Sequence, residues 1–215
     1  ANTATPENGT KKIYEIKPET PGGGRLYAFL KRSADLLFSL LALLVFCIPM
    51  LIIALFVKLD SKGPVFFTQD RVGLNGREFP VYKFRTMRVD AEKDGPQWAG
   101  KNDDRCTKVG KFLRKTRLDE LPQFLNILKG DMSLVGPRPE REFFYREFET
   151  YIHGFRNRLA VKPGLTGLAQ RNGRNAMSWE KKFEYDLIYI QKITFLGDVK
   201  ILMQTVIKVF QRDGI

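Results

Sequence analysis

Histidine and cysteine are nearly absent: one His and two Cys occur in 215 residues. Cys47 lies inside an apolar run and Cys106 in a polar loop, so no disulfide framework is indicated and a reducing, cytosolic exposure fits. His153 stands among Phe and Arg residues with no Cys or second His nearby to share a metal, which sets aside zinc sites and Ser-His-Asp chemistry. There is no P-loop, no Gly-rich dinucleotide fingerprint and no internal repeat, so the familiar routes to nucleotide binding are missing. Acid–base or nucleophilic work must therefore fall mainly to carboxylates. Negative charge is also short, 24 acidic against 36 basic residues for a net charge of +12. That balance points to an anionic partner, and nucleic acid, anionic lipid and nucleotide substrates all qualify. The length suits one well-cored domain plus an appendage.

Charge is absent altogether from the 22 residues Leu36 to Val57. As one helix this run would be roughly 33 Å long, against a hydrocarbon core of about 30 Å, so it is read as a membrane segment. Pro49 divides it into pieces of 13 and 8 residues, each too short to span. Lys31 and Arg32 precede it and Lys58 and Lys62 follow, which gives the positive-inside rule no side to prefer. A re-entrant segment with both ends on the cytoplasmic face and a kinked spanning helix both fit these residues. Residues 1–24, polar and rich in Pro and Gly, read as a flexible tail or tag remnant.

After Gly63-Pro64, Val65 to Gln69, Asn75-Gly76 and Glu78 to Met87 carry a β-hairpin signal. Lys83 and Arg85 alternate with apolar residues there, giving either a solvated basic face or a phosphate seat. Residues 88–108 hold Asp90, Glu92, Asp94, Asp103 and Asp104 without periodicity and read as a loop. Lys111 to Thr116 predicts a short basic helix leading into Leu118-Asp119-Glu120-Leu121-Pro122. Leu121, Phe124, Leu125 and Leu128 then recur at helical spacing up to Lys129-Gly130. This places Asp119 near an N-cap, where orphan N–H groups and the helix dipole would favour its ionised form. An Asp in that position is commonly only a cap; two carboxylates among Arg114, Arg117 and Arg138 suit chemistry on phosphate. Pro137 and Pro139 restrain Arg138, as a rigid turn or as a pre-organised phosphate fork. Phe144, Phe148, Tyr151, Ile152, Phe155 and Leu159 predict an amphipathic helix with Arg146, Arg156 and Arg158 opposite. Ser178 caps a further helix. Asp198 starts a last one whose face of Val199, Leu202, Met203, Val206 and Phe210 suits either a core or a membrane interface.

Six separated runs together resemble the small monotopic polyprenyl-phosphate phosphoglycosyl transferases, the bacterial sugar transferase family. They are Lys31-Arg32 with the interrupted apolar segment, VYKFRTM at 81–87, LDELPQ at 118–123, LKGDMSLVGPRPE at 128–140, VKPGLTGLAQ at 161–170 and NGRNAMSWEKKFEYD at 172–186. The resemblance covers about residues 26–212. It implies an α+β, mostly helical protein: a re-entrant membrane helix broken at Pro49 over residues 25–59, then a cytosolic catalytic domain over 60–215 with a β-hairpin and amphipathic interfacial helices. It implies transfer of a phospho-sugar from a UDP-sugar to polyprenyl (undecaprenyl) phosphate with release of UMP, at the cytoplasmic face of the bacterial inner membrane. Anionic lipid is then the surrounding partner and nucleic acid is not. Oligomeric state does not follow. Position by position, Asp119 resembles the family's nucleophile and Mg2+ ligand and Glu120 its assisting carboxylate. Lys83, Arg114, Arg138 and Arg174 resemble its phosphate-binding groups. The run at 172–186 is similar to members that use N-acetylated amino sugars. Two other classes remain to be separated by experiment: a membrane-tethered binding protein without catalysis, and a hydrolase of UDP-sugar or lipid diphosphate.

Overall fold

The apolar run extends into one helix, α1, Gly24–Asp60, in a computed structural model that describes residues 24–93, 103–173 and 177–211. Among the described residues it is the one helix long and apolar enough to cross a membrane. The break expected at Pro49 is corrected, because the helix continues through it. Proline removes one N–H and crowds the carbonyl of Val45, yet apolar neighbours on both sides leave the other peptide groups no partners but one another.

Both ends of α1 are fixed to the same folded body. Near its start, Asp35 accepts from the Ser133 hydroxyl (3.1 Å) and the Leu134 N–H (3.0 Å), Arg32 donates to the carbonyls of Ile127 and Leu128, and Lys31 pairs with Asp198 at 2.7 Å. Near its end, Ile53 and Val57 are buried with Phe84 and Leu113, and Asp60 accepts the Val109 N–H. Between these anchors Leu37, Leu40, Leu44, Ile48 and Leu51 are more than half exposed, so the middle of the helix has no protein to pack against on that face.

The hairpin forms as its sequence predicts, β1, Phe66–Val72, antiparallel to β2, Glu78–Phe84, with Phe67 opposite Lys83. Asn75 (φ 55°) and Gly76 (φ 79°) take the left-handed conformation that this pair tolerates best. Then come α2, Lys108–Thr116, capped by the Thr107 side chain on the Gly110 N–H, a 3-10 turn at Leu118–Glu120, and α3, Gln123–Lys129. β3, Ser133–Val135, pairs in parallel with β4, Gly164–Thr166. The remaining helices are α4, Glu142–Glu149, α5, Leu168–Asn172, α6, Trp179–Gln191, and α7, Phe195–Gln211.

The single helix expected from Phe144 to Leu159 is instead α4 followed by a 3-10 segment, Phe155–Ala160, because Gly154 (φ 73°) turns the chain. The apolar positions hold all the same: Phe144, Phe148, Ile152, Phe155 and Leu159 are buried, and Phe148 stacks on Trp179 at 4.3 Å between centroids. Ser178 caps α6 as expected, on the Lys181 N–H. In α7, Ile201 faces the core while Val199, Met203 and Val206 remain 41%, 61% and 52% exposed, so this apolar face is left out of the core. Residues 1–23 of the expected tail, Asp94 of the acidic loop, the side chain of Phe210 and all of Arg174 lie outside the described residues.

The parallel pair depends on missing side chains. A Cβ on Gly164 would lie 2.1 Å from the Gly136 nitrogen. Gly164→Ala is therefore expected to cost roughly 3 kcal/mol of stability. Thermal unfolding in detergent checks this, and an unchanged midpoint would contradict the β3–β4 contact.

Candidate active site

Asp119 and Glu120 sit in the 3-10 turn between α2 and α3 and not at a helix N-cap. α3 begins only after Pro122, and Asp119 makes no capping hydrogen bond. The turn is set by Arg117, whose left-handed backbone (φ 62°) ends α2 through its N–H on the Arg114 carbonyl. A non-glycine residue there stores on the order of 1 kcal/mol of strain, and the reversal it produces carries Asp119 and Glu120 inward.

The two carboxylates then have different surroundings. Glu120 Oε1 accepts from Lys83 Nζ (3.0 Å), delivered by β2, and from Arg138 Nη2 (2.6 Å), delivered by the turn after β3. Burial pushes Glu120 up, but Arg138 and Lys83 outweigh it and hold the carboxyl well below the usual range. Asp119 is 8% exposed, and no hydrogen bond or ion pair from a described residue reaches its carboxylate. Burial, and then the negative charge of Glu120, push it up to about 6 against the pull of Lys83, Arg114 and Arg138. The lowered pKa expected for a helix-capping Asp119 is thus corrected; desolvation and a like charge act on it where a helix dipole was expected.

Arg138 is held by its backbone as well as by its neighbouring prolines. Its carbonyl accepts from Arg158 Nη2 (2.9 Å), and the Pro139 carbonyl accepts from Arg71 Nη1 (3.2 Å). Arg71 in turn pairs with Glu140, and Arg158 pairs with Asp186 at 2.5 Å in the interior. Arg158 was expected on a solvated face and is 3% exposed, because Gly154 rotates the segment that carries it. Arg71, Arg158 and Asp186 are the residues that sequence reasoning missed. The signal for Asp186 was its place at the end of the 172–186 run.

Among the other expected residues, Arg114 stands close enough for its charge to act on Asp119, and its Nε donates to Thr86 Oγ1 at 2.9 Å. Arg85 does not join Lys83 in a phosphate seat, since its guanidinium is spent on the carbonyls of Val57, Ser61 and Lys62 at the end of α1.

An Asp without a hydrogen-bond donor beside a second carboxylate suits a hard cation that seeks oxygen. No cluster of three or more metal-ligating side chains occurs among the described residues. Mg2+ is a hard cation of that kind: it takes one or two carboxylates and completes its shell with water and substrate phosphate.

With this geometry in view, the comparisons with known proteins identify the class. The profile described as bacterial sugar transferase matches residues 26–212, and the chain belongs to that family. It is 45% identical over 184 residues to a UDP-N-acetylgalactosamine-undecaprenyl-phosphate N-acetylgalactosaminephosphotransferase of Aeromonas hydrophila, covering 84% of this chain and 44% of the relative. It is 44% identical over 197 residues to a UDP-glucose:undecaprenyl-phosphate glucose-1-phosphate transferase of Escherichia coli K12, covering 89% and 42%. An uncharacterized sugar transferase of Bacillus subtilis is 46% identical over 186 residues, covering 86% of this chain and 90% of the relative. The chain thus spans less than half the length of the first two relatives.

Proposed function

We propose that this chain transfers a phospho-sugar from a UDP-sugar to undecaprenyl phosphate, releasing UMP, through a covalent intermediate on Asp119. The observation that carries this reading is the asymmetry of the dyad: Glu120 Oε1 is held by both Lys83 and Arg138, while the Asp119 carboxylate beside it has no described donor. A carboxylate without donors is available as a nucleophile, and the cations around it are what phosphoryl transfer needs.

In the first half-reaction an Asp119 oxygen bonds to the β-phosphorus of the donor. The bond from that phosphorus to the bridging oxygen breaks, and UMP leaves with the electron pair. In the second, an oxygen of undecaprenyl phosphate bonds to the same phosphorus and the Asp119 carboxylate departs, giving the lipid diphosphate sugar. Lys83 and Arg138 keep Glu120 ionised, and Arg138 and Arg114 face the negative charge of the donor. Mg2+, held by Asp119 with the donor phosphates and water, would supply further charge neutralisation as the diphosphate is cleaved. The names of the relatives specify N-acetylgalactosamine and glucose at nearly equal identity, so the sugar is a choice for the assay.

Placement at the cytoplasmic face of the bacterial inner membrane belongs to the same reading. Both flanks of α1 are bonded to one body, which supports a membrane segment whose two ends lie on the same face, and the outward apolar face of α7 would lie along it.

UMP release from UDP-N-acetylgalactosamine, UDP-glucose and UDP-galactose, with Mg2+ and with or without undecaprenyl phosphate, tests the reading. The transferase should stop after about one equivalent of UMP per protein without lipid and turn over with it. Continuing release without lipid would identify a hydrolase, and no release from any donor would favour a tethered binding protein.

A further inference from the structure

Thr86 is the last residue but one of the VYKFRTM run and makes a contact that the transfer scheme has not used. It is 7% exposed, just past the end of β2, and its backbone is fixed on the α2 side. Its carbonyl accepts the Thr107 N–H at 3.0 Å, and α2 approaches so closely that a Cβ on Gly110 would lie 2.0 Å from that oxygen. The side chain is thereby aimed along α2 at Arg114, whose Nε it accepts at 2.9 Å. Arg114 bonds to no other described residue through its Nη nitrogens. A guanidinium presents two edges that matter for an oxyanion, and one includes Nε. A hydroxyl on Nε removes that edge from use and stops rotation about the last side-chain bonds, so the edge made by the two Nη nitrogens is the one presented. The neighbouring Arg85 fixes the same corner from the other side, through three carbonyls at the end of α1.

We propose that Thr86 is a positioning residue of the transfer site, whose hydroxyl holds Arg114 so that both Nη nitrogens meet a phosphate oxygen of the donor at Asp119. The proposal rests on the reading of Arg114 as a phosphate-binding group. Thr86 acts only through Arg114, and two consequences follow. A side chain of the same shape without the hydroxyl should impair use of the donor and leave the fold intact. The impairment should also vanish when residue 114 has no Nε–H to hold.

The experiment compares Thr86→Val, Thr86→Ser, Arg114→Lys and the Thr86→Val/Arg114→Lys double variant in the full chain. It measures kcat/KM for whichever UDP-sugar of the panel above is turned over, and thermal unfolding beside it. Thr86→Val is expected to lose about tenfold in kcat/KM, the worth of one charge-assisted hydrogen bond, with an unfolding midpoint within a few degrees of the parent. Thr86→Ser should stay within about threefold of the parent, and Thr86→Val should cost less than about twofold further in the Arg114→Lys background. Equal losses for Val and Ser, or an undiminished loss in the Arg114→Lys background, would overturn the proposal while the transferase reading stands. An Arg114→Lys variant as active as the parent removes the phosphate role of Arg114 and Thr86's role with it. A parent that releases no UMP from any donor fails the functional reading itself.

Discussion

Asp119→Asn is expected to lose at least about 10³-fold in UMP release while becoming more stable than the parent at neutral pH. The loss follows from the proposed role, since an amide oxygen cannot form the acyl-phosphate intermediate at a useful rate. The gain follows from the electrostatics. Burial and Glu120 push Asp119 up to about 6 in the metal-free protein, while an unfolded Asp titrates near 3.9. The folded state therefore holds this proton more tightly than the unfolded state does. Below about pH 4 the residue is protonated in both states and contributes nothing; between about pH 4 and pH 6 its contribution turns unfavourable, and above that it is constant. The plateau is on the order of 3 kcal/mol, and Asn escapes it. Thermal unfolding in EDTA should show the variant above the parent at about pH 7.5 and level with it at about pH 4. A variant less stable than the parent at neutral pH would mean that Asp119 serves the fold as a paired or capping residue.

Arg138→Lys is the second large effect, expected at about 10²-fold in kcat/KM for the donor. Arg138 holds Glu120 through Nη2 at 2.6 Å, and its side chain remains 38% exposed, so the rest of its fork is open to a ligand. Lysine keeps the charge but is a single point, able to hold Glu120 or a phosphate oxygen and not both in fixed geometry. The prolines on either side, with Arg71 and Arg158 on the flanking carbonyls, leave the backbone no freedom to compensate. Initial rates across donor concentration check this, and a variant within about threefold of the parent would show that charge alone suffices.

The residues that meet at the site were legible in sequence because each lies in a short run with its own chemistry: two adjacent carboxylates, a cation in an alternating strand, an arginine between prolines. The hairpin was legible for the same reason, since Asn75-Gly76 is a local signal. What was not legible depends on contacts far apart in the chain. The pKa of Asp119 was read with the wrong sign because the N-cap argument is local, whereas the burial that decides it comes from packing. The left-handed Arg117 has no composition signal, and it is what ends α2 and sets the 3-10 turn apart from it. The β3–β4 pairing joins strands of three residues, too short for a period to show, and only the crowding at Gly136 and Gly164 records it. Pro49 fitted both a break and a kinked helix on the residues alone, and the break came from the resemblance; in an apolar run the backbone has no better partner than the helix, which continues. Arg158 was assigned to a polar face by a helical period that Gly154 interrupts.

The most direct test of the account is the intact mass of the protein after incubation with a UDP-sugar and Mg2+ in the absence of lipid. The account predicts a single added sugar-phosphate, located on the peptide that contains Asp119, absent from Asp119→Asn and discharged by undecaprenyl phosphate. Lipid-dependent turnover with no adduct, or an adduct on another residue, would contradict it.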